Sequence, residues 1–191
     1  MKKISIIIIS IFLIFSCQNI DSKANESRII QFEKFLGNNK ANALTLKVVD
    51  FEKFLQTNLS GISIEKSYAK YLEIIKSGEY DEYSWNYNAT EKKQINKLFE
   101  SSGLKQEIWN YNSSLTNEEF PLKTFNKFGK YLKGLELIQE SDSTIINYIK
   151  IKKAIGDVSK NILADGLLKS NADFSDYFIK RIIVVEFYPA N

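Results

Sequence analysis

Apolar residues recur at intervals of three and four from residue 26 almost to the last residue, which is the period of amphipathic α-helices. The stretch after Ser63 shows the pattern most clearly, because one helix face there carries Ile64, Tyr68, Tyr71, Leu72 and Ile75. The pattern predicts helices over about Glu26–Leu36, Asn42–Thr57, Ser63–Lys76, Glu91–Ser101, Pro121–Ile138, Ser143–Ile155 and Asp157–Ser170, with one or two further turns over Leu104–Tyr111. The predicted fold is an all-α, single-domain bundle of about six to eight helices over residues 26–191.

Several single residues refine these boundaries. Asn25 is placed to cap the first helix and Gly37 to end it. Gly129 and Gly134 fall inside the predicted fifth helix, where each weakens a helix by roughly 1 kcal/mol relative to Ala, so we expect close packing at both. Whether Gly156 separates two helices or bends one long helix stays open.

The last segment, from Asp173 to Tyr188, fits two structures. Ile182–Val185 is β-branched and suits a strand, but we find no second strand in the sequence to pair with it. Phe174, Phe178, Ile182 and Val185 also have helical spacing. We therefore predict a buried C-terminal helix, with Arg181 paired to Asp176 or Asp173.

The first residues have a different pattern. Met1-Lys-Lys is followed by about a dozen mostly apolar residues, from Ile4 to Phe15, and then by the small residue Ser16. This is the arrangement of a secretory signal peptide. As a helix the apolar run would extend only about 18 Å, which is short of the ~30 Å hydrocarbon core of a bilayer. The pattern therefore predicts a signal over residues 1–16 and not a membrane span.

Ile14-Phe15-Ser16-Cys17 resembles the lipobox of bacterial lipoproteins, in which an aliphatic residue stands three before a cysteine and a small residue one before it. Ile14 and Ser16 match, whereas Phe15 is larger than the residue usual there. The resemblance implies cleavage between Ser16 and Cys17 and attachment of acyl chains such as palmitate to Cys17. Two or three acyl chains hold a protein on a membrane stably. The alternative is an ordinary secreted protein with an incidental cysteine.

The residues after Cys17 suggest where the protein is held. Gln18 to Asn25 is polar and without periodicity, which indicates a tether of at most about 28 Å. Some lipoproteins of bacteria with two membranes carry Asp directly after the cysteine as an inner-membrane retention signal. Gln18 stands there instead, so the resemblance favours the outer membrane.

Composition removes several kinds of chemistry. The chain has no histidine and a single cysteine, which excludes histidine-based catalytic triads, histidine or thiolate metal sites and an internal disulfide. Cleavage would remove two of the 26 basic residues and none of the 23 acidic ones, so the mature chain is nearly neutral. We therefore expect no nucleic-acid partner, no metal and no cofactor.

One motif occurs twice. Trp-Asn-Tyr-Asn stands at Trp85 to Asn88 and again at Trp109 to Asn112. Exposed aromatic side chains beside amides could stack on sugar rings or anchor a protein partner. The candidate binding surface comprises Tyr83, Trp85, Tyr87, Trp109 and Tyr111. The alternative is that both tryptophans simply pack near the two ends of the fourth helix.

These observations favour a membrane-anchored envelope lipoprotein with a non-catalytic binding or structural role and a protein or glycan partner. A first alternative is an anchored immunity or inhibitor protein. A second is a glycan-acting enzyme that uses paired carboxylates from the group Glu79, Asp81, Glu82, Glu118 and Glu119. Asp142-Ser143-Thr144 resembles a short acceptor for bacterial O-glycosylation, although helix capping explains the same residues.

Overall fold

The fold is all-α, as the sequence predicts. A computed structural model describes residues 23–79, 85, 89–112, 122–139 and 142–188. Its helices are α1 (residues 23–36), α2 (Asn38–Asn58), α3 (Ile64–Ser77), α4 (Ala89–Ser101), α5 (Leu104–Ile108), α6 (Lys130–Ile138), α7 (Ser143–Ala154), α8 (Lys160–Lys169) and α9 (Tyr177–Phe187). The predicted signal peptide, Cys17 and most of the predicted tether lie outside the described residues.

The first three helices follow the sequence prediction with shifted ends. Ser63 caps α3 by accepting from the Lys66 backbone N–H, and Gly78 ends the helix at φ +76°. Gly37, at φ +95°, is the single residue between α1 and α2. The prediction that Asn25 caps α1 is wrong, because the helix already includes residues 23–25.

The predicted helix from Pro121 is wrong over its first part. Leu122–Phe125 forms strand β2, which pairs antiparallel with strand β1, Trp109–Asn112, so the predicted helical turns after Ile108 are wrong as well. Phe125 pairs with Trp109 across the two strands, and its N–H also donates to the Asp157 carboxylate at 3.1 Å. These partners come from distant parts of the chain and outweigh the local helical spacing.

Gly129 and Gly134 confirm the expectation of close packing. A Cβ on Gly129 would lie 1.9 Å from the backbone oxygen of Glu107, and a Cβ on Gly134 would lie 3.0 Å from the Phe32 ring. Gly134 therefore lets α1 approach α6. Arg28 Nε donates to the Ile138 carbonyl oxygen at 2.9 Å in the same interface, so the two helices run antiparallel.

The C-terminal segment is a helix, as predicted. Asp176 caps α9 by accepting from the N–H groups of Phe178 and Ile179 at 2.7 and 3.0 Å. Eight of its eleven residues are buried. A helix that is apolar on every side belongs in the centre of a core, and α9 lies there.

The predicted pairing of Arg181 with Asp176 or Asp173 is wrong. The buried guanidinium donates to the Tyr177 carbonyl oxygen at 3.0 Å and to Thr45 Oγ1 at 2.7 Å, and it lies 3.2 Å from the centre of the Tyr177 ring. Both aspartates instead hold backbone N–H groups near the start of α9. An aspartate carboxylate at the start of a helix accepts from free backbone N–H groups there, and so it is not available to a guanidinium that faces the core.

Gly156 settles the question about α7 and α8. Its φ of +85° ends α7, so two helices follow each other and not one bent helix. Asp142 caps α7. The prediction that Asp157 caps α8 is wrong, because its carboxylate accepts from Phe125 and Ser159 occupies the N-cap position.

Candidate functional site

Trp85 packs at the junction of α2 and α3. Its indole lies 5.1 Å from the Phe54 ring at an interplanar angle of 30° and 5.6 Å from the Tyr71 ring at 87°. Phe51 and Tyr188 extend this aromatic group into the core. Phe54 and Tyr71 are buried residues of regular helices, so they hold the half-buried indole in a fixed position.

An open cleft of about 330 Å³ lies beside this indole. It is lined by Asn58, Leu59, Ile74, Glu79 and Trp85. An aromatic face next to an amide and a carboxylate suits a ligand that has both an apolar face and hydroxyl or amide groups, such as a sugar ring or a polar side chain. Trp85 is therefore the member of the predicted surface that the structure places at a cleft.

The second copy of the motif is arranged differently. Trp109 is buried, with 7 % of its surface exposed, and it packs 6.1 Å from Phe99. Lys123 Nζ lies 3.7 Å above the Trp109 ring. Trp109 therefore packs inside the domain, as the alternative interpretation predicts. Its assignment to an exposed binding surface is wrong.

Tyr111, two residues along β1, is 39 % exposed and lies under the Lys105 ammonium at 4.9 Å. Burial nevertheless raises the pKa of its hydroxyl group. The two tryptophans contact different helices: Trp85 packs on α2 and α3, and Trp109 packs on α4. Tyr83 and Tyr87 lie outside the described residues.

Lys47 is a buried polar residue that sequence reasoning missed. It is 1 % exposed, and its Nζ donates to Asn96 Oδ1 at 3.0 Å while lying about 5 Å from the Phe99 and Tyr188 ring centres. Burial lowers its pKa to about 8, although the nearby Asp50 carboxylate acts in the opposite direction. Because the ammonium is enclosed, it acts on stability and not on an external ligand.

Lys152 forms a second internal polar group. Its Nζ lies 2.8 Å from Glu186 Oε2, and the Tyr148 hydroxyl donates to Glu186 Oε1 at 2.5 Å. Burial raises the pKa of Tyr148 well above its usual range. One sequence signal could have identified both lysines, because Lys47 follows Leu44 by three and Lys152 follows Tyr148 by four, on the apolar stripes of α2 and α7.

The carboxylate pair of the glycan-acting alternative cannot be assembled from the described residues. Glu79 lines the Trp85 cleft, but Asp81, Glu82, Glu118 and Glu119 lie outside the described part of the chain. Within that part, no group of three or more acidic or thiol side chains is placed to hold a metal ion. None of the described helices is both long and apolar enough to cross a membrane.

Comparisons with known proteins give no relative. No protein-family model, curated protein or solved structure matches the chain.

Proposed function

We propose that this protein is a bacterial envelope lipoprotein that is anchored in the outer membrane through Cys17 and has a non-catalytic binding role. The observation that carries the proposal is the lipobox-like Ile14-Phe15-Ser16-Cys17 directly after a short apolar run. Cys17 is the only cysteine of the chain, so it has no internal disulfide partner. Acylation gives this thiol a function in an exported protein.

The start of the folded domain fits a short anchor. Helix α1 is already present at residue 23, six residues after Cys17, which allows at most about 20 Å of extended chain. Because α1 runs antiparallel to α6, its far end lies about 21 Å away beside the start of α6.

The Trp85 cleft supports the binding role. Its indole is positioned by Phe54 and Tyr71, which removes most of the entropy that a mobile aromatic side chain loses on binding. A glycan or a protein side chain could bind in the cleft that the indole borders. No described group beside this cleft forms a nucleophile with its base, so binding is the simpler role.

The anchor is tested by metabolic labelling with an alkyne fatty acid. The wild-type chain should be labelled and should fractionate with the outer membrane, whereas Cys17→Ser should be unlabelled, retain its signal peptide and leave that fraction. A Ser22→Ala chain serves as the matched control, because it changes a small polar residue of the same tether. If the wild-type chain stays unlabelled and Cys17→Ser fractionates as the wild type does, both the proposed anchor and the proposed location are refuted.

The cleft is tested separately by acrylamide quenching of tryptophan fluorescence. In a Trp109→Phe chain only Trp85 emits, and we expect acrylamide to quench it efficiently. In a Trp85→Phe chain the buried Trp109 should be shielded. Protection of Trp85 by glycan fragments of the envelope would identify the ligand class, whereas a tight complex with one enzyme would favour the inhibitor alternative. A Trp85 as shielded as Trp109 would contradict a binding role for the cleft.

A further inference from the structure

Helices α7 and α8 enclose a groove of about 330 Å³ on the surface of the bundle. Its walls are mainly apolar. They include Tyr148 and Ile151 from α7 and Ile162, Leu163, Gly166 and Leu167 from α8.

Aliphatic side chains are exposed at and beside this groove. Ile151, Ile155 and Ile162 are 38, 67 and 64 % exposed, and Ile151 and Ile162 line the groove itself. Single exposed aliphatic residues are ordinary on protein surfaces, but a group of them around an apolar depression marks an interaction site.

Gly166 leaves open space in the wall of the groove. Of the eight glycines in the chain, five have positive φ and two are packed against neighbouring atoms. Gly166 alone has neither reason: it lies within α8, and a Cβ there would meet nothing within 4 Å. A glycine inside a helix is destabilising by about 1 kcal/mol relative to Ala. In the open space that Gly166 leaves, a ligand can therefore approach close to the α8 backbone.

The charge around the groove identifies the kind of partner. Of the five lysines in residues 143–170, three form ion pairs within the domain: Lys152 with Glu186, Lys153 with Glu136 and Lys169 with Asp165. Among the described residues, no ion pair involves Lys150 or Lys160. Asp165 is neutralised by Lys76 at 2.8 Å and Lys169 at 2.7 Å, so it offers little to a basic ligand. Lys150 is the charged residue that lines the groove. Acidic flanks on the ligand would complement this surface.

We infer that the α7–α8 groove binds an amphipathic α-helix of a partner protein, with aliphatic residues at positions i, i+4 and i+7 and acidic residues beside them. From Ile162 to Ser170 the α8 wall extends about 12 Å, or two turns of such a helix. Close approach at Gly166 suits a helix backbone. With the cleavage before Cys17 that the proposed function includes, the segment from Cys17 to Ser22 has one aliphatic residue, Ile20, and cannot supply three anchors. A second copy would bring lysines against lysines.

The probe for the test is a synthetic helical peptide with three leucines at this spacing and glutamate flanks. The control peptide has the same leucines, with lysine in place of the flanking glutamates. The full chain, purified as cells make it and held in phosphatidylcholine nanodiscs, is titrated against each fluorescent peptide by anisotropy. We expect saturable binding of the acidic peptide and at least about fivefold weaker binding of the basic one.

Two substitutions on α8 separate groove binding from general adhesion. Gly166→Leu fills the groove without removing a core contact, so the thermal midpoint should stay the same or rise. The affinity for the acidic peptide should fall by about tenfold or more. Asn161→Leu adds the same side chain at an exposed α8 position outside the groove and should leave binding unchanged. Lys150→Glu should abolish the preference for the acidic peptide.

Three results would overturn the inference. Equal binding to wild-type and Gly166→Leu protein would place the peptide elsewhere, and absence of saturable binding of the acidic peptide would leave the groove without a helix ligand. The third is chemical cross-linking that gives a dimer with wild-type protein but not with Gly166→Leu. That result would make a second copy the occupant.

Discussion

The buried ammonium of Lys47 makes the stability of this protein depend on pH in an unusual direction. The pKa of Lys47 is lowered from 10.5 to about 8 in the folded chain, chiefly by burial. The unfolded chain therefore binds this proton more tightly than the folded chain does. By linkage, the free energy of unfolding rises as pH increases from about 8 to about 10.5.

The size of the effect follows from the shift. At 1.36 kcal/mol per pKa unit, the full difference amounts to about 3 kcal/mol, of which about 2 kcal/mol falls between about pH 7 and about pH 9.5. The pH range ends at about 9.5 because burial also raises the pKa of Tyr68, Tyr131 and Tyr148. Their ionisation in the unfolded chain above about pH 10 acts in the opposite direction.

The measurement is urea unfolding followed by far-ultraviolet circular dichroism at several pH values across this range, on wild type and on Lys47→Met. Methionine keeps most of the side-chain volume without the charge. The free energy of unfolding of the wild type should rise by about 2 kcal/mol more than that of Lys47→Met over the range. Lys66→Met, at an exposed position of α3, is the control and should keep the wild-type slope.

Parallel pH profiles for wild type and Lys47→Met would refute the reasoning. They would mean that water or a local opening solvates the ammonium in the folded protein, and that the 1 % exposure of Lys47 does not describe its surroundings in solution.

Three further predictions test the packing by equilibrium unfolding. Gly134→Ala should destabilise by about 1–3 kcal/mol, because the new methyl group lies 3.0 Å from the Phe32 ring, whereas Gly166→Ala in open space should stabilise by up to about 1 kcal/mol; the reverse order would refute the packing at α6. Glu186→Ala leaves Lys152 buried without its carboxylate and should destabilise by about 3–5 kcal/mol, whereas a double change of this pair to Leu and Met should recover most of that loss, and equal losses would contradict it. Asp176→Ala removes the cap of α9 and should destabilise by about 1 kcal/mol, with Asp176→Asn close to wild type; an unchanged midpoint for Asp176→Ala would argue against the cap.

Local signals predicted the helices whose ends and faces are set by neighbouring residues. In α3, Ser63, Gly78 and the stripe from Tyr68 to Ile75 act within one helix, so the sequence alone defines the element. The helical prediction for α9 succeeded for a related reason, since a lone strand would have left its backbone groups unpaired.

The errors occur where a residue's partner is far away in the chain. Leu122 and Phe125 have helical spacing, but β1 and Asp157 take their backbone groups. Arg181 reaches Thr45, 136 residues earlier, which no local pattern announces.

Distant partners also explain why the sequence predicted the candidate site only in part. The repeated Trp-Asn-Tyr-Asn identified both tryptophans, but only the surrounding helices decide that Trp85 borders a cleft and that Trp109 is enclosed. The α7–α8 groove has no sequence signature, because its two walls are separate amphipathic helices whose relative placement is tertiary.

The position of α9 has a consequence for the order in which the protein can assemble. Residues 177–187 fill the centre, yet they leave the ribosome after every other described element. Until they arrive, the earlier helices can pack against one another only in part, because the core positions of α9 stay empty. Such a delay would keep the polypeptide incompletely folded until α9 has been made. A truncation that removes this helix should yield a collapsed, protease-sensitive chain and not a smaller folded one.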